Sequence, residues 1–412
     1  MYPMLDIPFI IKEGENMDRI GDLEEKYVKE VLRGQFSSKH TYQMVTRLEK
    51  SFAEKYGVRH AVAMANGTAT LHMALEAAGV GPGDEVICPP LTMSSTSMSV
   101  LMANAVPVFA DVDLETFEIS ADAIRNAITD KTKAIMTVAL YGLAPNMKEI
   151  LEIAHKRQLI VIEDNAECYG ARQDGKLVGT FGDMASYSFQ SSKHLTAGEG
   201  GVVITDKDDL ADKLRRYSGL GYAGIQKDKG RISKADIQNP VYERHMILGW
   251  NYRMSDICAA VALGQLERME ELVDARIRAA KLYEEAIGGC KWLKPQKALS
   301  GNKHSYWTYA VFLDTDRVSW DSFRKKYLEL GGDGFYAAWK LAYQEPMFQN
   351  KAFLNREKLG IYDPYDYHSV SCPNAEFLQP RLMQFKTNYF AREDALKQAD
   401  ALRKTIKFFD GR

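Results

Sequence analysis

HAVAMANGTATLHMALEAAG, residues 60–79, changes its apolar pattern part-way along. The run from His60 to Ala65 is short and almost wholly apolar. Asn66-Gly67-Thr68 breaks it, and Leu71, Ala74, Leu75 and Ala78 then recur at helical spacing. Strand, turn and helix follow one another. The rhythm repeats through EVICPP (85–90), SMSVLMANA (97–105), VPVFADV (106–112), ADAIRNAIT (121–129), KAIMTVALYG (133–142), MKEILEIAHKRQ (147–158) and LIVIEDNA (159–166). Each strand candidate is apolar throughout, as a strand covered on both faces must be. The alternation predicts an α/β fold with a mainly parallel sheet flanked by helices.

Beyond about residue 250 the pattern shifts. MSDICAAVALGQLERMEELVDARIRAAKLYEEAIGG (254–289) reads as one long bridging helix, and the charge run within it as a solvated face. SYWTYAVFL (305–313) is strand-like and SWDSFRKKYLEL (319–330) helical, so a smaller C-terminal α+β domain is expected. The predicted division is a cofactor-binding domain over 1–255 and a small domain over 256–412, as the chain's 412 residues and 46% hydrophobic content allow.

Bulk properties narrow the function. Lys and Arg total 53 against 55 Asp and Glu, so no basic excess points to nucleic acid or an acidic membrane. The five cysteines are scattered and form no CxxC pair, which predicts reduced thiols and no structural metal site. The first twenty residues lack a secretory pattern, and no run approaches the roughly 20 apolar residues that span a bilayer. A cytoplasmic protein is expected.

In open α/β sheets, ligands collect where strands end. Gly67 and Thr68 end one strand and open a helix, whose unpaired amides can receive a phosphate. Glu163 and Asp164 end a buried strand, where a carboxylate must find a partner or a proton. Lys193 lies in SYSFQSSKHLTAGEGGVVI (186–204), between a strand-like segment and a glycine turn. GLGYAG (219–224) matches GxGxxG, but the preceding DLADKLRRYSG reads as helix, so a nicotinamide or flavin dehydrogenase is disfavoured. A phosphate turn, a carboxylate and an amine together suit pyridoxal 5′-phosphate (PLP). Its aldehyde takes an amine, its pyridine nitrogen a carboxylate and its phosphate a cradle of amides and hydroxyls.

DNAECYGA (164–171) followed by SYSFQSSKHLTAGEGG (186–201) resembles the DegT/DnrJ/EryC1/StrS family of sugar aminotransferases. The similarity runs in order through YGVRHAVAMANGTATLHMAL, VGPGDEVICPPLT, PVFADVDLETFEI, KTKAIM and GWNYRMSDICAA, over about residues 40–285. It implies the fold-type I architecture of PLP-dependent transferases and a homodimer with shared active sites. Carried over by position, it implies that Lys193 holds the cofactor as a Schiff base and Asp164 faces the pyridine nitrogen. Gly67, Thr68 and Ser188 would bind phosphate, and Asn251 would reach the phosphate of the neighbouring subunit. GEGG (198–201) shapes the loop after the lysine. Three positions depart from the family pattern. Met93 stands where an aromatic residue commonly covers the cofactor ring, Glu167 where Gln or His lies near the phenolic oxygen, and Ala139 where VHLYG has its histidine. An anionic Glu167 there would have to be protonated, turned away or paired with a cation.

The implied reaction is ping-pong transamination cycling through pyridoxamine 5′-phosphate. An amino-acid donor, glutamate or glutamine, loads nitrogen onto the cofactor, which passes it to a keto-sugar, a nucleotide-linked keto-deoxysugar first among them. Lys193 must move protons as a neutral amine, whereas free lysine titrates near about 10.4. Tyr306, Trp307 and Tyr309 are candidate substrate contacts. The alternatives are a cyclitol ketone as acceptor, a pyridoxamine-dependent dehydratase, which has histidine for the lysine and draws attention to His194, and a PLP-binding regulatory sensor.

Overall fold

The computed structural model describes residues 18–36, 43–226 and 232–411; the stretch read above for a leader lies, up to residue 17, outside the described residues. Seven strands form the main sheet: β1 (His60–Met64), β2 (Glu85–Cys88), β3 (Val106–Phe109), β4 (Thr132–Val138), β5 (Ile160–Asp164), β6 (Met184–Ser188) and β7 (Gly201–Thr205). Their spatial order is β1-β7-β6-β5-β4-β2-β3. The run from β6 to β3 is parallel, and β7 is antiparallel to both neighbours. The strand at the centre, β5, ends with Asp164 paired to Val138 of β4 and Ser186 of β6.

The continuous apolar runs have a direct cause. Along β4, Ala134, Met136 and Val138 face one core together with Leu71 and Leu75 of the helix α3 (Gly67–Ala77). Ile135, between them, faces another core with Ile124 of α4 (Ala121–Ala127) and Ile150 and Ile153 of α5 (Met147–Arg157). With helices on both sides, a charged group is costly in either register of the strand, so charged chemistry gathers at strand ends.

Two features correct the sequence reading. The expected bridging helix is broken at Arg268, whose φ/ψ of −98°/12° separates α6 (Asp256–Glu267) from α7 (Met269–Ile287). The Arg268 guanidinium bonds Glu24 and the Asp18 carbonyl, and the first half of α7 still shares the core of α6 through Leu272 and Val273. Ala259, Ala260 and Leu263 pack with β1, β6 and β7, whereas Ala280, Tyr283 and Ile287 pack under the C-terminal sheet. The change of packing partner thus falls within α7, beyond residue 256. Secondly, residues 341–378 leave the C-terminal unit and cover the edge of the main sheet, with Tyr362 and Tyr367 donating to the carbonyls of Ala105 and Pro107.

The C-terminal sheet is antiparallel, in the order β8-β9-β11-β10, with β8 Leu293–Pro295, β9 Thr308–Leu313, β10 Phe335–Ala337 and β11 Leu382–Lys386. A helix, Asp208–Ser218, precedes GLGYAG, so that segment closes no βαβ dinucleotide unit. Among the described residues no helix is long and apolar enough to cross a membrane, and no group of His, Cys, Asp or Glu could hold a metal ion.

Two histidines are locked neutral in the interior. His304 accepts from the Tyr306 amide at Nδ1 and meets the Gln296 side-chain oxygen at Nε2, 3.0 Å away, and burial lowers its pKa to about 3. His194 is lowered well below the ordinary value, mainly by burial. Below about 6.5 the unfolded chain binds these protons and the native protein does not, so stability falls with pH from about 6.5 towards the depressed values. Each such histidine contributes up to about 1.4 kcal/mol per pH unit in that window. His304→Gln is expected to lower stability at pH 7 but to make its decline between pH 6.5 and 4 shallower, as measured by denaturant unfolding. An unchanged slope would refute the assignment.

Candidate active site

A cleft of about 1180 Å³ opens at the carboxyl ends of the parallel strands, between the main sheet and the C-terminal sheet. Seven of the eight residues singled out in the sequence line it: Gly67, Thr68, Met93, Asp164, Glu167, Ser188 and Lys193. Asn251 does not; it is exposed, on a segment bridged to Gly219.

Asp164 ends β5 only 5% exposed. Its Oδ2 accepts from Thr96 Oγ1 at 2.8 Å and its Oδ1 from the Ala166 amide at 3.2 Å. Burial pushes its carboxyl above the usual range, while these two donors and the charge of Lys193 act the other way. Thr96 was not foreseen. The helix that carries it, Ser95–Met102, reads in sequence as an ordinary apolar helix, and only the sheet order brings it over β5.

At the start of α3 the Asn66 side chain caps the Ala69 amide at 2.8 Å. Thr68 Oγ1 donates to Ser95 Oγ at 3.1 Å. Glycine at 67 is a matter of space: a Cβ there would lie 2.8 Å from Ser188 Cβ and 3.1 Å from Ser188 Oγ. Helix start and β6 end are thus pressed together, leaving main-chain amides and two hydroxyls at one end of the cleft.

The loop after β6 delivers Lys193. Its Nζ lies 3.1 Å from Glu167 Oε1 and 4.7 Å from the centre of the Trp307 ring. Glu167 also accepts from the Tyr141 amide at 3.2 Å. Burial pushes the Glu167 carboxyl up, Lys193 and the Tyr141 amide draw it down, and Asp164 adds to the upward push. Of the three ways an acid could sit at this position, the structure has the pair with a cation. Met93 stands 47% exposed at the cleft, its sulfur accepting from the hydroxyl and amide of Ser95. Ala139 is buried behind the wall.

Of the three aromatic candidates, Trp307 lines the cleft and the other two do not. Tyr306 stacks on His304 and donates to Glu284 at 2.6 Å, and Tyr309 is buried against Tyr283. His194 faces the interior, its Nε2 on the Ser305 carbonyl at 3.0 Å, so it cannot replace Lys193 at the cleft. The charge run read as a solvated face conceals Arg276, which is 2% exposed and lines the cleft. Its position four residues after Leu272 and four before Ala280, on the apolar stripe, was the available signal.

An amine beside a buried carboxylate, and a crowded helix start with free amides and hydroxyls, is the donor set that PLP requires. The family profile of the DegT/DnrJ/EryC1/StrS aminotransferases matches residues 18–380. The chain belongs to this family. It is 42% identical over 314 residues to the GDP-perosamine synthase of Caulobacter vibrioides, covering 75% of this chain and 79% of that protein. The GDP-perosamine synthase of Escherichia coli O157:H7 is 38% identical over 293 residues, covering 71% and 75%. Among solved structures, the aminotransferase from Psychrobacter cryohalolentis superposes with a TM-score of 0.83 at 28% identity, covering 95% of this chain and 98% of that one. The protein is therefore a PLP-dependent aminotransferase, with the fold-type I architecture read from its sequence.

Gly67→Ala should destabilise the protein by about 1–3 kcal/mol through overpacking against Ser188. Ser188→Gly in the same chain should recover most of that loss, since it removes both atoms in conflict. Thermal melting of the two variants checks this; no recovery in the double variant would place the strain elsewhere.

Proposed function

We propose that this aminotransferase transfers nitrogen from glutamate or glutamine to a nucleotide-linked keto-deoxysugar, of the kind whose amination gives products such as the GDP-perosamine for which its relatives are named. The observation that carries the proposal is the placement of the Lys193 amine, held at 3.1 Å by Glu167, in one cleft with the buried carboxyl of Asp164.

Each residue has an assigned task within the proposal. Lys193 binds the cofactor covalently. Gly67, Thr68 and Ser188 hold its phosphate, and Met93 packs on its ring. When bound, PLP supplies a carbonyl for imine formation and a ring that accepts electrons from the bond being broken. Asp164 keeps a proton at the ring nitrogen, with Thr96 orienting the carboxylate. With the cofactor loaded, Lys193 Nζ would be the base that takes the proton from the donor's α-carbon and holds it for return. Glu167 balances the ammonium form. When the amine gives up its charge, the same burial favours a protonated Glu167, which then donates a hydrogen bond instead of repelling nearby oxygen.

The active unit is proposed to be a cytoplasmic homodimer, in which Asn251 completes the partner's phosphate site. Support comes from its absence from its own cleft and from the apolar segment beside it, where Val241, Met246 and Leu248 are 82%, 60% and 78% exposed. The division into a cofactor unit and a C-terminal unit is part of the same proposal, with α7 as the connection.

Adding PLP to the purified protein should produce a visible absorption band that Lys193→Ala abolishes. A band of equal intensity in the variant would remove the covalent role. Asp164→Asn should keep the band yet slow transfer by about 10²-fold or more, as read by loss of the band with glutamate. Glu167→Gln keeps the shape but not the negative charge. The band's pH midpoint is expected to move downward by about one unit, because an anion that favours the protonated nitrogen is gone. A titration with no displacement, or an upward one, would contradict the countercharge role.

A further inference from the structure

Arg276 is buried in the cleft wall, and every acceptor it uses is a neutral oxygen. Nη2 donates to the carbonyls of Lys193 and Ser192 at 3.0 and 3.2 Å. Nη1 donates to the Trp307 carbonyl at 2.7 Å and to Thr387 Oγ1 at 3.3 Å. Among the described residues it makes no ion pair. A guanidinium taken out of water normally has a carboxylate partner, because the desolvation cost is several kcal/mol without one. Its retention here needs a reason.

The four bonds join separate parts of the chain. Two hold the peptide groups at Ser192 and Lys193; the other two hold the entry to β9 and the exit from β11. Arg19 Nη2 donates to the same Lys193 carbonyl at 2.8 Å, and the Trp307 indole donates to the Ser192 carbonyl at 2.8 Å. The Thr387 hydroxyl returns to the carbonyls of Tyr306 and Trp307. The strands so fixed carry part of the opposite wall of the cleft, Thr308 on β9 and Gln384 and Lys386 on β11.

We propose that Arg276 is a positioning residue for Lys193: it fixes the backbone from which the amine reaches and sets that reach against the C-terminal wall. The inference rests on the reading of Lys193 as the reactive amine. The charged and titratable groups around the amine are Glu167 at 3.1 Å, Asp164 and the neutral His194, with Arg276 and Arg19 on the Lys193 carbonyl. Lys386 of the facing wall is paired with Asp333 at 3.1 Å. Burial and the charge of Arg19 lower Arg276 to about 9, with Glu167 opposing, so it is a cation at neutral pH.

The test uses Arg276→Gln, Arg276→Lys and Thr387→Val in the full-length protein. In cofactor-free protein at pH 8, acetylation of Lys193 by acetic anhydride, followed by peptide mass spectrometry, should rise several-fold in Arg276→Gln, which loses the hold on the Ser192 and Lys193 carbonyls. It should stay within about two-fold of the parent in Arg276→Lys and Thr387→Val. With PLP bound, the rate at which glutamate removes the visible band at saturation should fall about 10-fold in Arg276→Lys and a few-fold in Thr387→Val, with the concentration for half-maximal rate nearly unchanged. Folded Arg276→Gln with parental acetylation overturns the hold on the Lys193 backbone. Parental rates in both other variants overturn the positioning role, including when Arg276→Gln does not fold. The acetylation arm needs no cofactor, so a protein that forms no visible band with PLP defeats the parent reading and leaves this readout decisive on its own.

Discussion

An amine enclosed with carboxyl groups is the constraint around which the cleft is arranged. In water Lys193 and Glu167 would each be solvated separately; inside the cleft they are held 3.1 Å apart, and the attraction between them offsets part of the cost of burying both. Asp164 shares that enclosure without a cation of its own at bonding distance, and relies on Thr96 and the Ala166 amide. The sheet explains why these groups stand where they do. Its strands are covered on both faces, so the ends are the places where polar side chains meet a ligand, and β5, at the centre of seven, offers the deepest such end.

What could be read from the sequence follows the locality of each feature. Gly67, Asp164, Ser188 and Lys193 are legible because each lies at a change of period: strand to turn, or turn to helix. The parallel sheet is legible for the same reason, since strands apolar on both faces leave continuous runs. The break at Arg268 left no such trace. Its cause is a bond to Glu24 and the Asp18 carbonyl, some 250 residues away in the chain, and the helical pattern continues across it. Arg276 was hidden by composition: a run rich in charge suggests a wet surface, and only its place on the stripe with Leu272 and Ala280 argues otherwise. Tyr306 and Trp307 are adjacent in sequence yet face opposite ways, Trp307 to the cleft and Tyr306 to His304, with Tyr306 itself at φ +50°. The covering of the main sheet by residues 341–378 depends on aromatic packing against β3 and has no periodic signature at all.

Glu167 shows how a local departure from a family pattern becomes intelligible once its neighbours are known. Taken alone, an acid beside the place for an anionic oxygen is a conflict. In the structure its charge is balanced by Lys193, 3.1 Å away, the residue proposed to hold the cofactor. The amine cannot change its charge without altering the preferred state of the carboxyl, and burial supplies the bias toward protonation when the amine is neutral. A glutamine at this position would donate and accept without that coupling.

The pattern of exposure around Asn251 belongs to the same physical account. The cleft encloses an amine and carboxyls, yet its end at Gly67 and Thr68, proposed for the phosphate, draws no residue from the segment 241–251 of its own chain. That segment presents Val241, Met246 and Leu248 outward, an apolar surface that an isolated chain would leave wet. A second copy covering it would bury that surface and bring an Asn251 toward the phosphate end in one step. On that reading, closing the cleft to water and joining two chains are one event, and the affinity of each site for its cofactor is tied to the dimer.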